Sequence, residues 1–359
     1  MRGVVKDGSL MAGVEIRDYR GDFEDVAELA RRVWVPQYGG RTWVPLPDAA
    51  YLRWRLTQSG ALCPVAYDGT KLVGSVFSIP QSMRVGGSVF PVAFFTGFTA
   101  DPEYRGIALP LIERLRRDNE ERGIAFGIGM VLDEPRSASY RFWTKYAEAF
   151  PQNFRLLFSG GYWAKFLGPH ALARAGIQAW ERLASRALGP LMRFTPYGID
   201  PHVRPYRAAD LERCAQMLDK ATAGFDWAVV WQPTELSSQL ENPAYRTLVF
   251  ERDGRVQGMV NYHCFSLHGR ELIRAVAIAL WAADDLSGAE QLRFVSHLCT
   301  DLIEQDVHGV VAPRSAMMPA AAFVANLFIP APQRFRIGIF LTPRTIPLAP
   351  PKTWSFEIT

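Results

Sequence analysis

The chain has 359 residues, 48% of them apolar and 21% charged, with 22 Phe, 12 Tyr and 10 Trp. That is enough apolar material for two packed cores, and it excludes a disordered or low-complexity protein. A formal charge of only +4 excludes a strongly basic nucleic-acid-binding surface while suiting a small polyanion.

In chain order, the apolar pattern predicts a strand at 14–20, helices at 23–35 and 48–58, and strands at 63–68, 72–84 and 88–100. A helix at 107–122, a strand at 124–131, a helix at 137–148 and a strand over 154–166 complete the first half. Residues 169–194 carry small and apolar side chains at helical spacing, with Arg174, Arg182, Arg186 and Arg193. They predict a connecting helix with Trp180 on its packed face. Such a helix also has the composition of a membrane-surface segment, but an amphipathic face is expected to pack on its own protein. The second half predicts a strand at 203–207, a helix at 210–222, and strands at 246–252, 256–267 and 271–283. A helix at 286–306, a strand at 308–313, a helix at 319–328 and a strand at 334–342 follow.

The second half echoes the first. Ile16-Arg17-Asp18-Tyr19-Arg20 matches Val203-Arg204-Pro205-Tyr206-Arg207, and Asp68-Gly69 matches Asp253-Gly254 at the head of a strand. Arg122-Gly123-Ile124-Ala125 matches His308-Gly309-Val310-Val311, and Phe142 matches Phe328. One nearly constant offset holds across all four places, so a duplication is expected. The predicted organisation is a flexible N-terminus over 1–13, a first domain over 14–167, a connecting helix over 168–199, a second domain over 200–345 and a tail over 346–359.

Cys63, Cys214, Cys264 and Cys299 form no CxxC, so free thiols and a cytoplasmic location are expected. No signal peptide is visible in 1–13. The longest uncharged run, Ser315 to Gln333, is interrupted by Pro319, Pro330 and Pro332, so no membrane span is expected there. His263 and Cys264 are neighbours in one predicted strand, with His297 and Cys299 in one predicted helix. Adjacent strand residues face opposite ways, so no metal site is expected.

The segment Phe98-Thr99-Ala100-Asp101-Pro102-Glu103-Tyr104-Arg105-Gly106-Ile107-Ala108-Leu109 reads as a strand end, a tight turn and a helix start. Helix N-termini expose unpaired N–H groups and partial positive charge, which hold anions. This segment resembles the acyl-CoA-binding motif of the GNAT acetyltransferase superfamily, Arg/Gln-x-x-Gly-x-Gly/Ala. Glu103 stands at the first position of that pattern, and the loop is two residues shorter than its usual Arg-Gly-x-Gly-x-Gly/Ala form. The predicted element order is also the GNAT order. The resemblance implies a mixed α/β fold of two tandem GNAT-like units, the second degenerate.

It further implies an N-acyltransferase that moves an acetyl or other acyl group from acyl-CoA, acetyl-CoA in the first instance, to a small-molecule or peptide amine. The pantetheine would lie along Phe98, Thr99 and Ala100, with Gly97 as a bulge where two strands part. The pyrophosphate would sit on Arg105, Gly106, Ile107, Ala108 and Leu109. The family pattern Asn-x-x-Ala-x-x-Phe-Tyr, which ends in the general-acid tyrosine, is met here by Arg136-Ser137-Ala138-Ser139-Tyr140-Arg141-Phe142-Trp143. Trp143 thus takes the tyrosine position beside the cofactor, and Tyr140, one turn earlier, becomes the candidate catalytic acid. The strand from Ser88 to Ala100 holds no Asp, Glu or His to serve as base. Trp34, Tyr38, Trp43, Tyr51 and Trp54 fall where the family covers its acceptor, though core packing accounts for most aromatics of this kind. In the second half Asp284 and Asp285 replace the Arg-Gly turn and are expected to repel a pyrophosphate. That half is left to shape the acceptor pocket or a homodimer contact. A non-catalytic acyl-CoA-binding protein and an aminoacyl or peptidyl transferase are the alternative readings. Neither a nucleic-acid nor a membrane partner is expected.

Overall fold

The computed structural model describes residues 13–57, 60–104 and 106–356. Arg105 and most of the expected flexible N-terminus lie outside the described residues. The first half runs β1 (Val14–Asp18), α1 (Glu24–Tyr38), β2 (Val44–Leu46), α2 (Ala49–Leu56), β3 (Pro64–Asp68), β4 (Lys71–Val85) and β5 (Ser88–Ala100). It continues with α3 (Ala108–Glu121), β6 (Phe126–Leu132), α4 (Ala138–Ala149) and β7 (Phe154–Phe166). Three short helices follow: α5 (Pro169–Ala175), α6 (Ala179–Ala187) and α7 (Gly189–Met192). The second half runs β8 (Val203–Pro205), α8 (Leu211–Thr222), β9 (Trp227–Val229), α9 (Pro233–Leu240), β10 (Tyr245–Arg252), β11 (Arg255–His268) and β12 (Leu272–Ala283). It ends with α10 (Gly288–Glu304), β13 (Gly309–Pro313), α11 (Ala320–Ala325), β14 (Ile329–Leu341) and β15 (Trp354–Ser355).

Local chemistry explains these elements. In α1 the buried Val26, Leu29, Ala30 and Val33 form one stripe at helical spacing. The hairpin between β4 and β5 turns on Gly86 and Gly87, both at positive φ (55° and 87°), which glycine tolerates without strain. In each half an antiparallel meander (β3–β4–β5, β10–β11–β12) is joined by one parallel strand, β6 or β13.

The repeat extends to side-chain chemistry. Arg32 of α1 donates to the Leu72 carbonyl at 3.0 Å and to buried Asp101 at 3.3 Å. Arg213 of α8 donates to the Val256 carbonyl at 2.9 Å and to buried Asp284 at 2.5 Å. Asp101 and Asp284 therefore hold equivalent posts, each pinning a helix to a strand end.

The halves share one continuous sheet in the order β1-β3-β4-β5-β6-β14-β7-β13-β12-β11-β10-β8. Their closing strands are exchanged. β6 pairs with β14 of the second half, and β13 pairs with β7 of the first. Glycines allow the close approach at this seam: a Cβ on Gly338 would lie 2.3 Å from the Phe154 ring. β2 likewise crosses over and pairs with β11. The segment expected as a tail is anchored, since β15 pairs with β9 and Trp354 and Phe356 are buried against Phe94 and Phe335.

The connecting segment is three helices rather than one. Gly176 ends α5, and Leu188 separates α6 from α7, which opens on Gly189-Pro190. Trp180 is not on a packed face, as the spacing predicts, but 51% exposed. Polar Glu181 and Ser185 are the buried residues of α6 instead. No helix among the described residues is long and apolar enough to cross a membrane.

Candidate active site

β5 and β6 pair in parallel from Val92↔Phe126 to Phe95↔Gly129 and no further. Beyond that point β5 continues to Ala100 beside β4, and β6 continues to Leu132 beside β14. The two strands splay and leave a wedge between them. Gly97 sits at the opening with φ +64°, where β5 has one more residue than β4, as expected of a bulge. Ser75 Oγ donates to the Gly97 carbonyl at 2.9 Å and Thr99 Oγ1 does so at 3.3 Å. These bonds fix the bulge. A Cβ on Gly97 would lie 2.4 Å from buried Phe77, so only glycine fits.

Past the wedge the chain turns through Gly106 (φ +93°) into α3. The residue before the helix is Ile107, and no side chain caps the start. The opening N–H groups on Ala108 and Leu109 are thus left to an outside acceptor, while Pro110 has none to offer. A Cβ on Gly106 would meet nothing within 4 Å. The Ile107 side chain is fully buried under β4, so only its backbone faces the turn.

The corresponding place in the second half is built differently. Ser287 caps α10 by accepting from the Glu290 N–H at 3.3 Å, while the Glu290 carboxylate accepts from the Ser287 N–H at 2.8 Å. Glu290 is buried and also paired with Arg252. The helix start is filled by its own carboxylate. Asp284, expected to repel an anion, is held by Arg213 and Lys220, and these cations keep its carboxyl below the usual range. The obstacle to an anion is therefore Glu290 and its capping box, and Asp284 is a structural ion pair.

The wedge opens into an apolar cavity of about 310 Å³ shared by both halves. Phe98, Thr99 and Trp143 line it; Ala100 does not. Trp143 is buried, 5.0 Å from Phe98 and edge-on to Phe340 at 5.4 Å. Tyr140 is not on the wall. Its ring lies 5.1 Å beneath the Arg336 guanidinium. In a helix the side chains at i and i+4 share a face, and here Ser139 and Trp143 face the cavity. Trp34, Tyr38, Trp43 and Tyr51 line the cavity, whereas Trp54 packs edge-on against Tyr245 at 4.8 Å.

Two wall residues gain importance from this geometry. Tyr38, the last residue of α1, packs with Leu132 at the end of β6. Burial raises its phenol, and bonds to the Ser139 and Ser137 hydroxyls oppose that rise. His263 of β11 is the imidazole on the wall among the described residues, stacked on Tyr51 at 4.9 Å. Neither was marked by a sequence motif; only the crossing of β2 and β11 brings His263 to the first half.

Other groups are already committed. Cys63, Cys214 and Cys299 have thiols pushed up to about 12 by burial, which suppresses nucleophilic thiolate. Lys165 is buried on the wall and donates to the Phe194 and Asn326 carbonyls at 2.9 and 2.6 Å. All four cysteines are free, and among the described residues no cluster of three or more His, Cys, Asp or Glu could hold a metal.

Residues 15–145 match the acetyltransferase (GNAT) domain family. No curated protein sequence matches the chain. Among solved structures, Saccharomyces cerevisiae N-myristoyltransferase with bound myristoyl-CoA is similar at a TM-score of 0.74 and 13% identity, over 95% of this chain and 81% of that one. A second structure of that enzyme with myristoyl-CoA and inhibitors gives a TM-score of 0.74 at 12% identity, over 98% and 87%. At such identity the likeness is one of fold. The first half therefore carries an acetyltransferase (GNAT) domain over residues 15–145, and the chain as a whole shares its fold with N-myristoyltransferase.

Proposed function

We propose that this protein is an acyl-CoA-dependent N-acyltransferase whose donor site lies in the first half. The observation that carries this reading is the uncapped start of α3 beside the β5–β6 wedge, opening directly into an apolar cavity. The pyrophosphate would rest on the N–H groups of Ala108 and Leu109 over Gly106, with Arg105 as the adjoining cation. The pantetheine would enter the wedge along Phe98, Thr99 and Ala100, above Trp143. Backbone N–H groups of β5 where it parts from β6 would serve the thioester oxygen.

The amine must lose a proton and the departing thiolate gains one. We assign proton donation to Tyr38 in preference to Tyr140, because Tyr38 is on the wall and burial keeps its phenol protonated. We assign proton removal to His263, which faces the same cavity from the second half. The balance is simple. The amine nitrogen attacks the thioester carbon, its proton goes to the His263 imidazole, the C–S bond breaks, and the sulfur takes the Tyr38 proton.

The extent of the apolar wall suits an acyl group longer than acetyl. The second half supplies cavity wall and keeps the fold of the first without a donor site. The free cysteines fit a reducing compartment such as the cytoplasm.

Thiol release from acyl-CoAs of increasing chain length, with a panel of amines, tests the assignment. Amine-dependent release is expected. Tight CoA binding with no release against any amine would leave a binding protein in its place.

A further inference from the structure

Among the described residues, twelve large apolar side chains are exposed, and seven of them fall between Trp180 and Ile199. Val324, Leu327 and Ile329 add three more. The two stretches adjoin, because Lys165 Nζ donates to the carbonyls of both Phe194 and Asn326. The two adjoining stretches hold ten of the twelve large apolar side chains exposed among the described residues. Single exposed leucines need no explanation, but a contiguous patch of this kind marks an interaction surface.

α6 shows how the patch is made. An ordinary surface helix buries its apolar stripe; α6 does the reverse. Glu181 is 5% exposed, accepting from the Trp43 indole N–H at 3.0 Å and from the Gln178 N–H at 2.8 Å. Ser185 is 2% exposed. Leu183, on the opposite side, is 68% exposed, and Leu188 and Leu191 continue that side through α7. The polar face anchors the helix and the apolar face points outward.

Charge identifies the partner. Pro169 to Ile199 contains four arginines, and its one acidic residue is Glu181, which is buried. Arg186 and Arg193 are exposed among the leucines. Outward leucines, a tryptophan and a phenylalanine interspersed with arginine are the composition of a segment lying in a membrane interface. A second copy of this chain would bring the same arginines against themselves. The patch also meets the cavity, since Trp180 and Ile329 belong to both.

We infer that the α6–α7 face docks on an anionic membrane surface and sets the rim of the cavity at the lipid interface. This departs from the expectation of no membrane partner, which assumed that Trp180 was packed inward.

The test is flotation of the full chain with vesicles of phosphatidylcholine alone and of phosphatidylcholine with phosphatidylglycerol. Binding is expected only to the anionic vesicles, and raised salt should release it. Leu183→Asp with Leu188→Asp should abolish binding. Arg186→Gln and Arg193→Gln should each weaken it about fivefold. All four positions are exposed, so the melting temperature should hold. No flotation of the wild-type chain, or flotation indifferent to salt and to these substitutions, overturns the inference. So does a wild-type dimer in sedimentation, without vesicles, that Leu183→Asp dissociates, because a second copy would then cover the face.

Discussion

Gly106→Val separates what the fold needs from what a ligand needs. The φ of +93° at this position costs a residue with a Cβ about 1–2 kcal/mol, and a β-branched residue sits at the upper end. No further protein clash is expected, because a Cβ there meets nothing within 4 Å. The open space is where the proposed pyrophosphate approaches the start of α3. Losing one or two charge-assisted bonds to phosphate, at about 1.5–3 kcal/mol each, weakens binding at least about tenfold. Gly97→Ala is the contrasting variant: its Cβ would press on Phe77 at 2.4 Å, so overpacking adds about 1–3 kcal/mol to the strain. Calorimetric titration with CoA and denaturant unfolding, run on both variants, give the two readouts. The prediction is a small stability loss with a large affinity loss for Gly106→Val, and a larger stability loss for Gly97→Ala. Gly106→Val protein that binds CoA as tightly as wild type would refute the placement of the pyrophosphate.

Three further outcomes are expected. Tyr38→Phe should lower turnover about 10²-fold at saturating substrate while Tyr140→Phe stays near wild type; the opposite ranking would restore Tyr140 as the acid. Titration with CoA should give one site per chain, because Glu290 occupies the start of α10, and a stoichiometry of two would show that the capping box opens. Burial holds the His297 imidazole below the usual histidine range, with Nδ1 accepting from the Asp200 N–H at 3.0 Å. As pH falls below about 6.5 the unfolded chain takes up a proton that the folded chain refuses, so stability should drop there. His297→Asn keeps an acceptor without titrating, and a pH–stability curve left unchanged by it would remove His297 from the account.

Much of this was legible in the sequence because it rests on local signals. The bounds of β5 follow from its apolar run between Gly87 and Asp101, and the Gly97 bulge from a glycine inside that run. The duplication was carried by turn residues at a fixed offset, and it reappears as the paired posts of Asp101 and Asp284. What escaped depends on long-range geometry. β7 and β14 have the same length and similar composition, so nothing local tells which of them closes which half. α9 (Pro-Thr-Glu-Leu-Ser-Ser-Gln-Leu) has too few apolar residues to show a period. The apolar side chains of α6 do show one, but periodicity does not reveal that buried Glu181 turns that face outward. Tyr140 is one turn from Trp143 in sequence yet does not line the cavity, while Tyr38 reaches the wall from a distant helix.

The central claim is that one acyl-CoA binds in the β5–β6 wedge of the first half. A crystal structure of the full chain with a non-hydrolysable acyl-CoA tests it most directly. The account predicts the pyrophosphate on the Ala108 and Leu109 N–H groups and the acyl chain in the shared cavity beside Tyr38 and His263. Density for the cofactor at α10, in the wedge between β12 and β13, would contradict it.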